Sequence, residues 1–327
     1  MTEQEFLARW NSERDMYEAW GHHVVSKIIE GVSARISPVA CDLFMRIPPK
    51  PRVKGEASIL EKAFRRKSYK DPYNDITDKV GVRFVVLLGR DIALVSNVIE
   101  RCTDWSFSKD RDYEREIAER PIQFEYAAVH YVVRAKSEMS IGSFTVPAGA
   151  PCEVQVKTLL QHAYSELTHD TIYKPTVVAS PDMKRTAAKS MALLEATGDY
   201  FEKVFDQVEA ATAPAKGLSI ELGQLYAKAV GKRPEVTRAE GVLLEAYEEA
   251  IGADVIARVD ELLKEKPFIG SKIQGRIPDG LLFRQPSILL AYLMAAEQPT
   301  KAKSLWPFTP EELRPIYTDL GKSFDSY

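Results

Sequence analysis

Two acidic residues occupy positions suited to metal or proton chemistry. Glu153 and Gln155 lie two apart in the run CEVQVK, so in an extended chain they share one face while Val154 and Val156 share the other. Asp78 comes just before a β-branched run at 80–88. Strand-borne carboxylates beside an apolar sheet suit Mg²⁺, a hard ion that takes one or two of them together with substrate phosphates. The plain alternative is that Glu153 faces water on an edge strand. A basic set lies upstream: Arg52 and Lys54 alternate on an extended segment, and Lys62, Arg65 and Arg66 follow at helical spacing. Both sets can converge on one polyanion, or they can form a solvated face.

Downstream, His162, Glu166, His169 and Tyr173 fall at steps of four, three and four and form one stripe of a helix. This is not the HExxH spacing of a zinc site, so the stripe reads as hydrogen-bonding support behind a site. Tyr126, Ala128 and His130 share one strand face. An aromatic there either stacks a base, worth about 1–3 kcal/mol, or belongs to the core. His22 and His23, adjacent on a polar helix, read as surface residues.

The elements that must position these residues follow from the hydrophobic pattern. Phe6, Trp10, Tyr17, Trp20, Val24, Ile28 and Ile29 recur at helical spacing, and the proline run at 47–51 ends that helix. Residues 57–67 read as a short amphipathic helix, 80–88 as a buried strand, 91–101 as a helix and 105–108 as a strand. Residues 111–123 read as a charged loop. Strands follow at 126–135, near 143–146 and at 152–157, and then helices at 159–173 and 184–208. The segment ATAPAKG at 211–217 reads as a linker, and everything beyond it as helical. The pattern predicts an α+β chain with a mixed sheet flanked by helices and an all-helical C-terminal region.

Composition narrows the function classes. The chain has 327 residues, 45% of them hydrophobic, which is long enough for two cores. Cys41, Cys102 and Cys152 form no CxxC pair, which fits a reducing cytoplasm and excludes a zinc ribbon. No secretory leader is visible, and the longest apolar run, 288–296, is about half a membrane span. Neither GxGxxG nor GxxxxGK[ST] occurs, so any nucleotide phosphates must be held by side chains. The net charge of −3 conceals a division: residues 46–70 carry nine bases against two acids, and residues 235–265 nine acids against three bases.

Taken in order, the motifs resemble a family. Arg52-x-Lys54-x₃-Ser58-Ile59-Leu60-Glu61-Lys62, Asp78-x₂-Gly81-Val82-Arg83, Tyr126-x₃-His130, Glu153-Val154-Gln155-Val156-Lys157-Thr158 and His169-x₃-Tyr173-Lys174 are similar to the RelA/SpoT synthetase domain. The resemblance implies a nucleotidyltransferase-like sheet and transfer of the β,γ-pyrophosphate of ATP to the 3′-hydroxyl of GDP or GTP, giving ppGpp or pppGpp. It implies that Arg52, Lys54, Lys62, Arg65 and Arg111 hold ATP and that Asp78 and Glu153 bind Mg²⁺. Glu153 would also accept the 3′-hydroxyl proton. Tyr126, His130 and Gln155 would serve the acceptor, with Lys157, His169 and Tyr173 supporting them from behind.

Two departures from the family pattern touch the acceptor side. Glu125, Ala127 and Ala128 stand where the family has Gly, Arg and Ser, and Thr168 where it commonly has Glu. Toxic relatives pyrophosphorylate the 3′ end of tRNA, which is the alternative acceptor; a non-catalytic nucleotide or RNA binder is the remaining class. His169-Asp170 is the one His-Asp pair, so the family's hydrolase domain is not expected here. The expected organisation is an N-terminal helical segment at 1–45, the synthetase at 46–210 and a helical region at 211–327. The acidity of that last region suggests a regulatory role, through docking on the basic front or through a partner. Small relatives often form homo-oligomers, and no membrane partner is expected.

Overall fold

The computed structural model describes residues 1–37, 39–66, 69–124, 128–168, 171 and 178–327, without the side chains of Arg66 and Glu114. Helix α1 (Glu3–Ile36) starts at a capping box in which Thr2 Oγ1 accepts from the Glu5 N–H and Glu5 accepts from the Thr2 N–H. Its buried stripe takes in the predicted Phe6, Trp10, Tyr17, Trp20, Val24 and Ile28 and extends to Val32, while Ile29 is half-buried. After a short α2 (Cys41–Phe44) the proline run leads into strand β1 (Arg52–Val53). Helix α3 (Glu56–Glu61) continues as a π-helical turn, Lys62–Arg66, a local widening that often marks functional sites.

The sheet comprises β1, β2 (Val80–Val86), β3 (Trp105–Arg111), β4 (Val129–Ala135) and β7 (Pro151–Thr158), in the order β1-β2-β7-β4-β3. The central pair β2 and β7 is parallel and the other pairings are antiparallel. Strands β5 (Met139–Ile141) and β6 (Phe144–Val146) form a separate hairpin. Period-two alternation sends Val80, Val82, Phe84, Tyr131, Val133, Val154 and Val156 into one core together with α1 and α4 (Gly89–Arg101). The opposite face carries Gly81, Arg83, His130, Glu153 and Gln155, and α6 (Leu159–Thr168) lies against its β2–β7 portion.

Two local expectations are corrected. Residues 111–123 are not all loop: β3 runs to Arg111, and Tyr113–Glu119 is helix α5. This helix is polar and is supported by charge pairs such as Arg115–Glu119 at i,i+4, which the hydrophobic pattern does not register. Residues 211–217 are not a break, because α7 spans Pro181–Val230 with Pro214 inside it. Three alanines in that segment favour helix and offset part of the cost of the proline.

The chain divides into two compact units, Met1–Val204 and Phe205–Tyr327. The second unit is helical: the end of α7, α8 (Arg238–Tyr247), α9 (Val255–Glu265), α10 (Phe268–Arg276), α11 (Ile288–Glu297), α12 (Pro299–Ser304) and α13 (Pro310–Asp319). Its core is built around α11, buried from Ile288 to Ala295. The apolar run noted in the sequence is therefore a core helix. Among the described residues no helix is long and apolar enough to cross a membrane.

Candidate active site

The parallel register of β2 and β7 sets Gly81 opposite Glu153 and Arg83 opposite Gln155, and β4 adds His130 opposite Gln155. Gly81 contributes no side chain, so Glu153 sits beside bare backbone: a Cβ built on Gly81 would lie 3.8 Å from Glu153 Oε2. Gln155 Nε2 donates to Glu153 Oε2 at 3.1 Å, and His130 Nδ1 lies 3.7 Å from Glu153 Oε1. Arg52 pairs with Gly81 across the β1–β2 edge.

Asp78 enters at the start of β2. Its Oδ2 accepts from Lys54 Nζ and, at 2.7 Å, from Lys62 Nζ, so the extended segment and the π-helical turn meet on one carboxylate. Its Oδ1 is buried and has no hydrogen-bond partner. Burial alone would raise the Asp78 pKa, but the two ammonium groups hold it below the usual carboxylate value. Glu153 goes the other way, raised by burial and then by the negative charge of Asp78.

Two carboxylates that repel each other, one with an unused buried oxygen, fit a divalent cation held by hard oxygen donors. Among the described residues no group of three or more His, Cys, Asp and Glu could form an all-protein metal cage. Asp78 and Glu153 are the two residues here that could hold such an ion together with oxygens of a substrate.

Burial, then the charges of Lys157 and Arg111, push the His130 pKa down to about 4, so its ring is neutral near pH 7. Lys157 is lowered to about 8 by burial and then Arg83, and its Nζ donates to Ser165 of α6 at 3.3 Å. Arg111 ends β3 opposite His130, and its Nε donates to Glu116 at 2.8 Å. Arg65 is not drawn into the cluster: its side chain is 69% exposed and reaches Glu3 on α1 at 3.8 Å. Tyr126, His169 and Tyr173 lie outside the described residues.

The structure adds Arg83 to this face. It donates to Glu166 of α6 at 2.8 Å, beside His162. The signal was present in VGVRFVV, where Gly81 and Arg83 interrupt the apolar alternation on one face only. Of the helical stripe, His162 and Glu166 are described and do share that side of α6.

Residues 51–177 match the family model described as "Region found in RelA / SpoT proteins". No curated protein matches the chain significantly. Among solved structures, Bacillus subtilis small alarmone synthetase 1 bound to its product pppGpp is similar at 21% identity and TM-score 0.47, over 63% of this chain and 97% of that one. Small alarmone synthetase 2 of the same organism gives 18% and 0.49, over 61% and 98%. A GTP pyrophosphokinase family protein from Streptococcus pneumoniae gives 20% and 0.48, over 65% and 98%.

Proposed function

We propose that this protein is an ATP-dependent pyrophosphotransferase that moves the β,γ-pyrophosphate of ATP to the 3′-hydroxyl of GDP or GTP. The observation that carries the reading is the convergence of Asp78 and Glu153 with Lys54 and Lys62 at one end of β2 and β7. It is supported by the RelA/SpoT region across residues 51–177.

In this reading Arg52, Lys54 and Lys62 bind the triphosphate through side chains, as the absence of a Gly-rich loop requires. Arg111 and Arg65 guard the ATP side from the rim. A Mg²⁺ ion held by Asp78 and Glu153 would offset phosphate charge. The acceptor 3′-oxygen bonds to the β-phosphorus as the bond from that phosphorus to the α,β-bridging oxygen breaks, and AMP leaves. The hydroxyl proton passes to Glu153, whose raised proton affinity suits a base. Gln155 and neutral His130 orient the Glu153 carboxylate and the acceptor, Tyr126 stacks the acceptor base, and Lys157, His169 and Tyr173 brace the acceptor side. Positioning and charge offset supply most of the rate enhancement in such transfers.

The test offers ATP labelled in its β- or γ-phosphate to the protein with Mg²⁺ and GDP, GTP or tRNA in parallel. Label in a guanosine tetra- or pentaphosphate, lost in Glu153→Gln, is expected. Label in tRNA alone would replace the acceptor while keeping the chemistry. No transfer to any acceptor, with nucleotide still bound, would leave a binding protein.

In the same reading the RelA/SpoT-type enzyme occupies residues 46–210, residues 211–327 regulate it, and the protein works in the cytoplasm.

A further inference from the structure

Lys79 follows Asp78 in the chain and is 2% exposed. Its Nζ lies over the ring of Tyr73 at 4.6 Å and over that of Tyr17 on α1 at 5.3 Å, and donates to the Ile76 carbonyl at 3.2 Å. Among the described residues it forms no ion pair. Glu13, which accepts from Tyr73 Oη at 2.8 Å, is paired with Arg9 instead. An unpaired cation is costly to bury, and methionine would fill an aromatic slot of this kind without that cost. Packing alone therefore does not account for a lysine here.

The surroundings show what the ammonium does. Counted back from Val80, strand alternation would send Asp78 into the core with Val82 and put Lys79 on the site face with Gly81. The contacts are the reverse: Tyr17 and Tyr73, which hold Lys79, belong to the core, and Asp78 meets Lys54 and Lys62. The chain bends at Lys79, and the bend exchanges the two side chains. Nζ closes that bend by reaching three residues back to Ile76, on the far side of Asp78. The Lys79 carbonyl in turn accepts from the Lys54 N–H at 2.9 Å, so the same residue sets where the Lys54 side chain begins. The cage also extends to Lys62: Tyr73 packs edge-on against Phe6 at 5.0 Å, and Phe6 against Phe64 of the π-helical turn at 5.6 Å.

We propose that Lys79 is a positioning residue: its caged ammonium turns the Asp78 carboxylate toward Lys54 and Lys62 and so sets the ATP side of the site. This rests on the reading of that cluster as the ATP site, and it gives Lys79 no contact with substrate.

The test measures, on the full chain, binding of a fluorescent ATP analogue with Mg²⁺ and transfer from labelled ATP to GDP. It compares wild type, Lys79→Met, Lys79→Arg, Asp78→Asn and the Lys79→Met/Asp78→Asn double variant. Methionine keeps the length and the apolar fill and removes the ammonium. Lys79→Met should therefore weaken ATP binding and raise KM for ATP by about tenfold, while KM for GDP stays within about twofold. Lys79→Arg keeps a cation over the rings and should bind ATP at least about threefold more tightly than Lys79→Met. In the Asp78→Asn background the methionine should cost less than about twofold further, because a positioning residue acts through the group it positions. Equal costs with and without the Asp78 carboxylate would make Lys79 a residue of the fold and overturn the proposal. So would wild-type ATP binding in Lys79→Met, no recovery in Lys79→Arg, or a Lys79→Met chain that circular dichroism shows unfolded. The expected binding pattern with no transfer to any acceptor removes the pyrophosphotransfer reading and leaves the positioning role standing. Normal transfer with Lys79→Met equal to wild type does the opposite, and no ATP binding by wild type overturns both.

Discussion

Asp78 and Glu153 are the same functional group in opposite electrostatic circumstances. Asp78 is held ionised by Lys54 and Lys62, whereas Glu153 is buried beside that negative charge and its proton affinity is raised. Neutral isosteres should therefore split activity from stability. Asp78→Asn strands two partly buried ammonium groups and should cost about 1–3 kcal/mol of stability together with activity. Glu153→Gln removes an unfavourable charge, so its melting temperature should equal or exceed that of wild type at pH 7 while transfer falls by about 10²–10³ or more. Thermal melts beside the labelled-ATP assay check both; a destabilised Glu153→Gln would show that the carboxylate is well accommodated. The alternation of Glu153 with Val154 and Gln155 was readable in sequence, because a strand has only two faces. That Asp78 would share two lysines was not, since it depends on how β1, the π-helical turn and β2 meet. Arg65 shows the converse: helical spacing put it with Lys62, and Glu3 on α1 draws it outward.

Helix α1 also reaches the site through its packing on β1 and β2. A Cβ on Gly21 would lie 2.6 Å from Pro51 Cβ and 2.8 Å from Val80 Cγ2, so the helix contacts both flanks of the phosphate-facing segment. Pro51 precedes Arg52, and Val80 begins the strand that Asp78 enters. Gly21→Ala should overpack this contact at about 1–3 kcal/mol and lower turnover by shifting Arg52 and Lys54. Gly198 on α7 has nothing within 4 Å of its built Cβ, so Gly198→Ala should instead stabilise by about 0.5–1 kcal/mol and leave turnover unchanged. A pair of melts with matched assays decides; equal melting temperatures would refute the close approach. Long elements with strong periodicity, α1, β2 and β7, were legible from apolar spacing alone. Helix α5 and the middle of α7 were not, because one rests on exposed charge pairs and the other runs through a proline that reads locally as a break.

Along the whole chain the near-neutral charge separates into a basic front and an acidic C-terminal stretch, and the structure shows where part of that acidity goes. Glu240 is buried and accepts from Ser219 Oγ and the Ser287 N–H, Glu235 pairs with Arg284, and Asp260 with Lys264. Composition gave the sign of the region but not the distant partners Ser219, Ser287 and Arg284, which the linear pattern cannot place; Lys264 is one helical turn from Asp260. A buried ionic lock of the second unit is further on. Arg276 donates to both oxygens of Asp319, at 2.9 and 2.7 Å, and Tyr292 Oη donates to Asp319 at 2.7 Å beside the buried α11. The Asp319 side chain is 1% exposed. Burial by itself would raise its pKa, yet the Arg276 and Tyr292 hydrogen bonds carry it below the ordinary aspartate value. A carboxylate depressed in the folded state stabilises above its unfolded pKa, about 3.9, and that contribution is lost as pH falls toward the folded value. Asp319→Asn should therefore cost stability at pH 7, at the lower end of about 3–5 kcal/mol because Arg276 keeps access to water. The gap between variant and wild type should then narrow as pH drops below about 4. Denaturant unfolding of both proteins at pH 7 and pH 3 measures it; a gap that stays constant with pH would mean that the lock acts through shape rather than charge.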